Sequence, residues 1–243
     1  MKITAIIQAR MGSSRLPGKV LKPLLGQSVL SHVIHRVQQV KRINEIVIAT
    51  TDKGEDEVIV EEALNCGVQI SRGSEDDVLS RYYHAADKFG ADVIVRITSD
   101  CPLIDPEISN NVIEKYLTSN VDYCSNTQTR SFPRGLDTEV FSFSSLHKAF
   151  WNAKKDYERE HVTPYLYLNP QQFKIAQFVN EIDYSHYRWT LDTPEDWELI
   201  SKIYEKLHSA GSIFHWMDAI RLMERYPELA DINKEIKQKN LGE

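Results

Sequence analysis

Ile6-Ile7-Gln8-Ala9-Arg10-Met11-Gly12-Ser13-Ser14-Arg15-Leu16-Pro17-Gly18-Lys19 joins an apolar run to a cationic turn, and this junction decides how the chain is read. The run from Ile3 to Ile7 has the length and composition of a short buried strand. It opens into a segment holding Gly12, Gly18, Ser13, Ser14, Pro17 and the cations Arg10, Arg15 and Lys19. Glycine lets backbone N–H groups approach an anion closely, and successive turn amides form a nest for phosphate oxygens. Arginine forks onto an oxygen pair, while lysine supplies a movable point charge. A strand emptying into such a loop is how α/β proteins hold polyphosphate. The spacing is neither Gly-x-x-x-x-Gly-Lys-Ser/Thr nor Gly-x-Gly-x-x-Gly.

Working outward, short apolar runs alternate with helical patterns. Val29–Val40 carries apolar residues at helical spacing, and Glu45–Ala49 reads as a strand. Glu55–Leu64 is amphipathic and stops before Gly67; Val68–Ser71 is a brief strand; Asp76–Phe89 is a helix ending at Gly90. Asp92–Ile97 is a buried strand and Ile108–Leu117 a helix. The pattern then changes: Thr138–Phe143 alternates, Tyr157–Leu168 is helical, and Phe173–Val179 is strand-like. Thr193–Leu207 is a helix with Pro194 in its first turn, followed by a polar helical tail from Ser209. The expected class is α/β: a mostly parallel sheet, helices on both faces, and ligands at the C-terminal strand ends.

Gln8-Ala9-Arg10-x-Gly12-Ser13-x-Arg15-Leu16-Pro17-Gly18-Lys19 resembles the N-terminal nucleotide loop of the CMP-sugar synthetases, the cytidylyltransferases that activate acylneuraminate and 3-deoxy-octulosonate sugars. The likeness extends in particular to the spore coat polysaccharide biosynthesis protein SpsF group and covers Met1 to about Leu207. It implies a Rossmann-like, GT-A-like nucleotidyltransferase sheet over residues 1–207, a sugar-pocket and dimer insertion at about 130–190, and a helical tail over 208–243. It also implies CTP as substrate, with Gln8, Ala9, Arg10, Gly12, Ser13, Arg15 and Lys19 around the nucleotide. Arg10 and Lys19 would lie on the triphosphate, Arg72 near the base or ribose, and Thr98 at the next strand end. A homodimer is expected.

Two carboxylates are metal candidates. Asp100 follows the Asp92–Ile97 strand, and Pro102 and Pro106 force a turn there that would leave it projecting from the strand end. A hard divalent cation bound with phosphates needs only one or two carboxylates. Asp105 is the better cap for the following helix, and Asp76 and Asp77 suit the helix start beside them. Asp192 has an equal claim, on capping preferences alone, to be an N-cap for the helix after it. The resemblance favours the other role: Asp192-Thr193-Pro194-Glu195-Asp196 matches the family segment whose carboxylate shares Mg²⁺ with the counterpart of Asp100. Arg10, Lys19, Asp100 and Asp192 are therefore the expected catalytic set.

For the sugar, Asp137 and Glu139 fall on one face of a strand by alternation and are expected to accept hydroxyls. Arg134 and Arg159 are expected to meet an acidic group as bidentate pairs. His161 lies in a segment resembling the family's acceptor-site histidine; a satisfied structural histidine is the equally weighted alternative.

Composition bounds the rest. The 243 residues are 42% hydrophobic and 26% charged, with a net charge of −6, which argues against nucleic-acid or anionic-membrane partners. Cys66, Cys101 and Cys124 have no metal-site spacing, so reduced thiols and a cytoplasmic location are expected. Ser99-Asp100-Cys101-Pro102 lacks the Asp-x-Asp of nucleotide-sugar-dependent glycosyltransferases, the first rival reading. A nucleotide-binding module without turnover is the second, and the full set of cations and carboxylates argues against it.

Overall fold

The computed structural model describes residues 1–13, 15–209 and 212–238. In chain order the elements are β1 (Ile3–Gln8), the hairpin strands β2 (Pro23–Leu24) and β3 (Gln27–Ser28), α1 (Val29–Val37), β4 (Glu45–Thr51), α2 (Glu57–Asn65), β5 (Gln69–Gly73), α3 (Val78–Lys88), β6 (Val93–Thr98) and α4 (Pro106–Ser119). They continue as β7 (Tyr123–Ser125), β8 (Glu139–Ser142), α5 (Phe143–Asn152), α6 (Asp156–His161), α7 (Pro164–Tyr167), β9 (Ile175–Gln177), α8 (Pro194–Leu207), α9 (Trp216–Arg225) and α10 (Glu228–Asp231).

One sheet has the order β5-β4-β1-β6-β8-β7-β9. The β5-β4-β1-β6 half is parallel, as the alternation of strands and helices predicts. β8 runs antiparallel to both β6 and β7, with Arg96 facing Glu139 across the β6–β8 ladder. This reversed strand belongs to the 130–190 insertion, and it carries that segment to the C-terminal end of β6.

Strand alternation divides the apolar residues between two faces. Ile3, Ala5 and Ile7 of β1 pack with α1, α2, α4, α8 and α9, while Ile6 packs with α3, α5 and α7. The tail expected to be polar is therefore only partly so. Phe214, Ala219, Ile220, Met223 and Leu229 are buried in the first of these cores, because α9 is amphipathic rather than polar all round. The Tyr157–Leu168 helix is corrected too: Val162, at φ +71°, separates α6 from α7. Among the described residues no helix is long and apolar enough to cross a membrane.

Candidate active site

The loop after β1 is held by its own backbone. The Met11 N–H donates to Asp56 Oδ1 at 2.7 Å, and the buried Asp56 carboxylate also takes the Thr51 hydroxyl. Gly18 donates to the Met11 carbonyl at 3.3 Å from a φ of +65°, a conformation that disfavours any side chain. The turn delivers Lys19 to the cavity mouth, where its Nζ lies 2.8 Å from Asp100 Oδ2 and 2.7 Å from Asp192 Oδ1.

Asp192 reaches this point although 91 residues separate it from Asp100. The Leu191 N–H donates to the Asp100 carbonyl at 2.8 Å, and Trp189 donates to Arg134 at 2.6 Å. Gly135 makes this approach possible: a Cβ there would sit 2.6 Å from the Trp189 carbonyl. Trp189 and Leu191 are fully buried, so the strap is clamped on both sides of Thr190. Thr193, not Asp192, caps α8, in a capping box with Asp196. The Asp196 carboxylate accepts from the Asp192 and Thr193 amides, leaving the Asp192 side chain free to face Lys19.

Burial alone would lower the Lys19 pKa, but the two carboxylates outweigh it and hold the ammonium above its ordinary value. Burial would likewise raise Asp100; the Lys19 charge and hydrogen bond win and pull it down to about 2. Arg15 Nη2 lies 3.3 Å from Asp192 Oδ2, and Arg10 Nη1 lies 3.5 Å from Glu75. Arg10, Arg15, Lys19, Asp100 and Asp192 line a cavity of about 550 Å³ at the C-terminal ends of β1 and β6.

Residues 4–218 match the family model described as cytidylyltransferase. The chain belongs to the cytidylyltransferase family. It is 35% identical to the spore coat polysaccharide biosynthesis protein SpsF of Bacillus subtilis, over 94% of this chain and 96% of that protein. A solved cytidylyltransferase from Leptospira borgpetersenii is 35% identical and superposes with a TM-score of 0.90, covering 99% of this chain and all of that one. The structure of CMP:2-keto-3-deoxy-manno-octonic acid synthetase complexed with CTP shares the fold at a TM-score of 0.67 and 18% identity, covering 85% of this chain and 99% of that one. The protein is thus a nucleotidyltransferase, with a sheet of the expected Rossmann-like kind.

In this cytidylyltransferase the cavity collects most of the residues singled out by sequence. Gln8, Ala9, Arg10, Gly12, Ser13, Arg15, Lys19, Thr98, Asp100, Arg134, Asp137, Glu139, His161 and Asp192 all line it. Arg72 and Arg159 do not. Arg72 lies within β5, the edge strand, where it bonds Glu57 and the Thr51 and Lys53 carbonyls. The expectation ended that strand at Ser71, two residues too early, and so put Arg72 in the loop beyond it. Arg159 turns away to Asp77 and the Phe150 carbonyl, because it lies on the side of α6 that packs against α3.

The pair Asp137 and Glu139 is corrected as well. Asp137 precedes β8 and forms a bidentate pair with Arg130, at 2.7 and 2.9 Å. Glu139 is buried and already accepts from Arg96, the Tyr123 hydroxyl and the Thr163 hydroxyl, the last two at 2.6 Å. Burial works against the Arg96 charge, yet the facing Glu139 raises its pKa. Burial, reinforced by Glu139, pushes the Tyr123 hydroxyl well up. Both carboxylates shape the cavity wall, each already paired with an arginine.

Arg134 differs from its neighbours. Its half-buried guanidinium makes no hydrogen bond or ion pair among the described residues, and burial with the nearby Arg130 lowers its pKa. Burial also lowers His161, which keeps its imidazole neutral at pH 7. Sequence reasoning missed Arg81, Arg96, Arg130, Tyr167 and Gln238, which also line the cavity. Arg96 carried a signal: a lone cation in the otherwise apolar Val93–Ile97 run demands a buried partner.

Proposed function

We propose that the protein transfers CMP from CTP to a hydroxyl of a sugar and releases pyrophosphate. The sugar oxygen forms a bond to the α-phosphorus, the α–β phosphoanhydride breaks to release pyrophosphate, and the hydroxyl proton passes to water. The observation that carries this reading is the convergence of Asp100 and Asp192 on Lys19 Nζ, at 2.8 and 2.7 Å, beside the Gln8–Lys19 loop. No enzyme nucleophile is needed, since positioning and charge neutralisation suffice for such a transfer.

Two carboxylates that close on a single cationic point are a hard-oxygen donor set suited to Mg²⁺ with phosphates. Asp100 and Asp192 would hold the ion, which when bound neutralises α-phosphate charge and lowers the pKa of the attacking hydroxyl. Lys19, Arg10 and Arg15 would turn to the triphosphate and the leaving pyrophosphate. Gly12 and Ser13 line the same cavity, with Gln8, Ala9 and Thr98 at the strand ends. Arg134, unpaired among the described residues, would take an anionic substituent of the acceptor, such as a carboxylate, and His161 would bond a hydroxyl. That fits an acidic or modified surface-polysaccharide sugar. A homodimer would form through the 130–190 insertion, where Leu168, Val179 and Ile182 are exposed.

Thermal unfolding with CTP, UTP, ATP or GTP, each with Mg²⁺, tests the base. A ligand that binds the native state raises its melting temperature. CTP should stabilise most, and equal or greater stabilisation by a purine nucleotide would reject the assignment.

A further inference from the structure

The chain beyond the matched family region returns to the reaction centre. Asn233, buried just after α10, donates its amide to the Arg188 carbonyl at 2.9 Å and to Asp196 Oδ1 at 2.8 Å. Five residues on, Gln238 Oε1 accepts from Arg188 Nη1 at 2.7 Å. The other corners of the same guanidinium are also taken: Nε donates to Asp196 Oδ1 at 2.9 Å, and Nη2 to Asp192 Oδ2 at 2.9 Å. Nη2 also donates to Asp196 Oδ2 at 3.1 Å, so the buried Asp196 sets the plane of the buried Arg188 and Gln238 holds its remaining Nη1 corner. Gln238 lines the same cavity as Lys19, Asp100 and Asp192.

Asp192 is pulled by competing cations. Oδ1 accepts from Lys19, while Oδ2 is shared by Arg188 and, at 3.3 Å, Arg15. The carboxylate's orientation therefore depends on where the Arg188 fork points. Asp196 pins one side of that fork and Gln238 the other. An acceptor oxygen suits this place, because it holds Nη1 on the side away from Asp196.

We infer that Asn233 and Gln238 are positioning residues, through which the C-terminal segment fixes the Arg188 guanidinium and thereby orients Asp192 in the active site. The inference rests on the proposed role of Asp192 in holding Mg²⁺. It assigns no contact between Gln238 and substrate. Because Gln238 is exposed, its replacement spares the core, whereas Asn233 is part of the packing.

Calorimetric titration of CTP, with and without Mg²⁺, into the full chain and into Gln238→Ala, Gln238→Glu and Asp192→Asn tests it. In the unaltered chain Mg²⁺ should tighten CTP binding, and Asp192→Asn should remove that gain. Gln238→Ala should leave the metal-free affinity unchanged and cut the Mg²⁺ gain by roughly ten-fold, the lower end of the scale for one hydrogen bond to a charged group. Gln238→Glu keeps an acceptor oxygen and should restore most of it. A full Mg²⁺ gain in Gln238→Ala, with none in Asp192→Asn, overturns the tail's role alone. So does an equal loss of metal-free affinity, which would make Gln238 a nucleotide contact, or an equal loss in Gln238→Glu. Wild-type behaviour in Asp192→Asn, or no Mg²⁺ effect in the unaltered chain, removes the underlying reading and the inference with it.

Discussion

The two walls of the cavity hold their charges in opposite ways. In the Gln8–Lys19 loop, the Arg10 and Arg15 side chains are 42% and 34% exposed and lie 3.5 and 3.3 Å from their carboxylates. On the insertion side, Arg96 and Glu139 are 13% and 6% exposed and closely paired, and Arg130 grips Asp137 with both nitrogens. Exposed, loosely made ion pairs are worth little and exchange partners readily. Buried pairs cannot be opened without stranding a charge. Arg10 and Arg15 on the first wall are thus ready to trade carboxylates for phosphates, while the Arg96–Glu139 side is a rigid surface against which an acceptor is shaped.

The largest expected effect breaks the rigid wall. Glu139→Ala leaves Arg96 buried without its partner and removes acceptors from Tyr123 and Thr163. Unfolding in denaturant should show a loss of about 3–5 kcal/mol. A loss below about 1 kcal/mol would mean that this wall is as exchangeable as the loop, since that is the range of exposed pairs.

Next comes the scaffold directly behind the loop. His32 of α1 bonds the Leu24 carbonyl of the β2–β3 hairpin through Nε2 at 2.7 Å, and burial pulls its pKa down from 6.5 to about 4. The folded value lies below the unfolded one, so the unfolded chain takes up the proton first. Stability present above pH 6.5 should fall as the pH drops toward 4, by at most about 3 kcal/mol. Stability curves for the protein and His32→Gln should converge at low pH, and parallel curves would remove His32 as the cause.

The smallest effect sharpens the contrast from the other side. Arg10→Ala and Arg15→Ala should each change unfolding free energy by no more than about 0.5 kcal/mol, as surface substitutions do. Their cost should appear in CTP binding instead, at about 1.5–3 kcal/mol for each charge-assisted hydrogen bond to phosphate that is removed. A stability loss matching that of Glu139→Ala would erase the distinction between the walls.

This asymmetry also explains what could be read from sequence. The loop was legible because one contiguous segment carries its turn residues and its cations. Asp100 was legible because prolines mark the end of its strand. Asp192 was ambiguous until the structure placed Thr193 in the cap and the Gly135 crossing brought the Trp189–Leu191 strap to Asp100. The insertion wall was misread because its pairs join different elements: Arg96 of β6 with Glu139 of β8, and Asp77 with Arg159. Alternation fixes which face a side chain takes but not which cation already waits there. Gln238 carried no local signal, since its importance lies in Arg188, fifty residues away.

Asp100 and Asp192, distant in sequence, meet at Lys19 and should act there as one group. A double-mutant cycle of Asp100→Asn and Asp192→Asn, read as the Mg²⁺-dependent free energy of CTP binding by calorimetry, tests that most directly. Groups that serve one function as a unit are strongly non-additive. Each single variant should lose most of the Mg²⁺ gain, and the double should lose little more than either. Losses that simply add would contradict the shared site and leave Asp192 as a structural neighbour of Arg188.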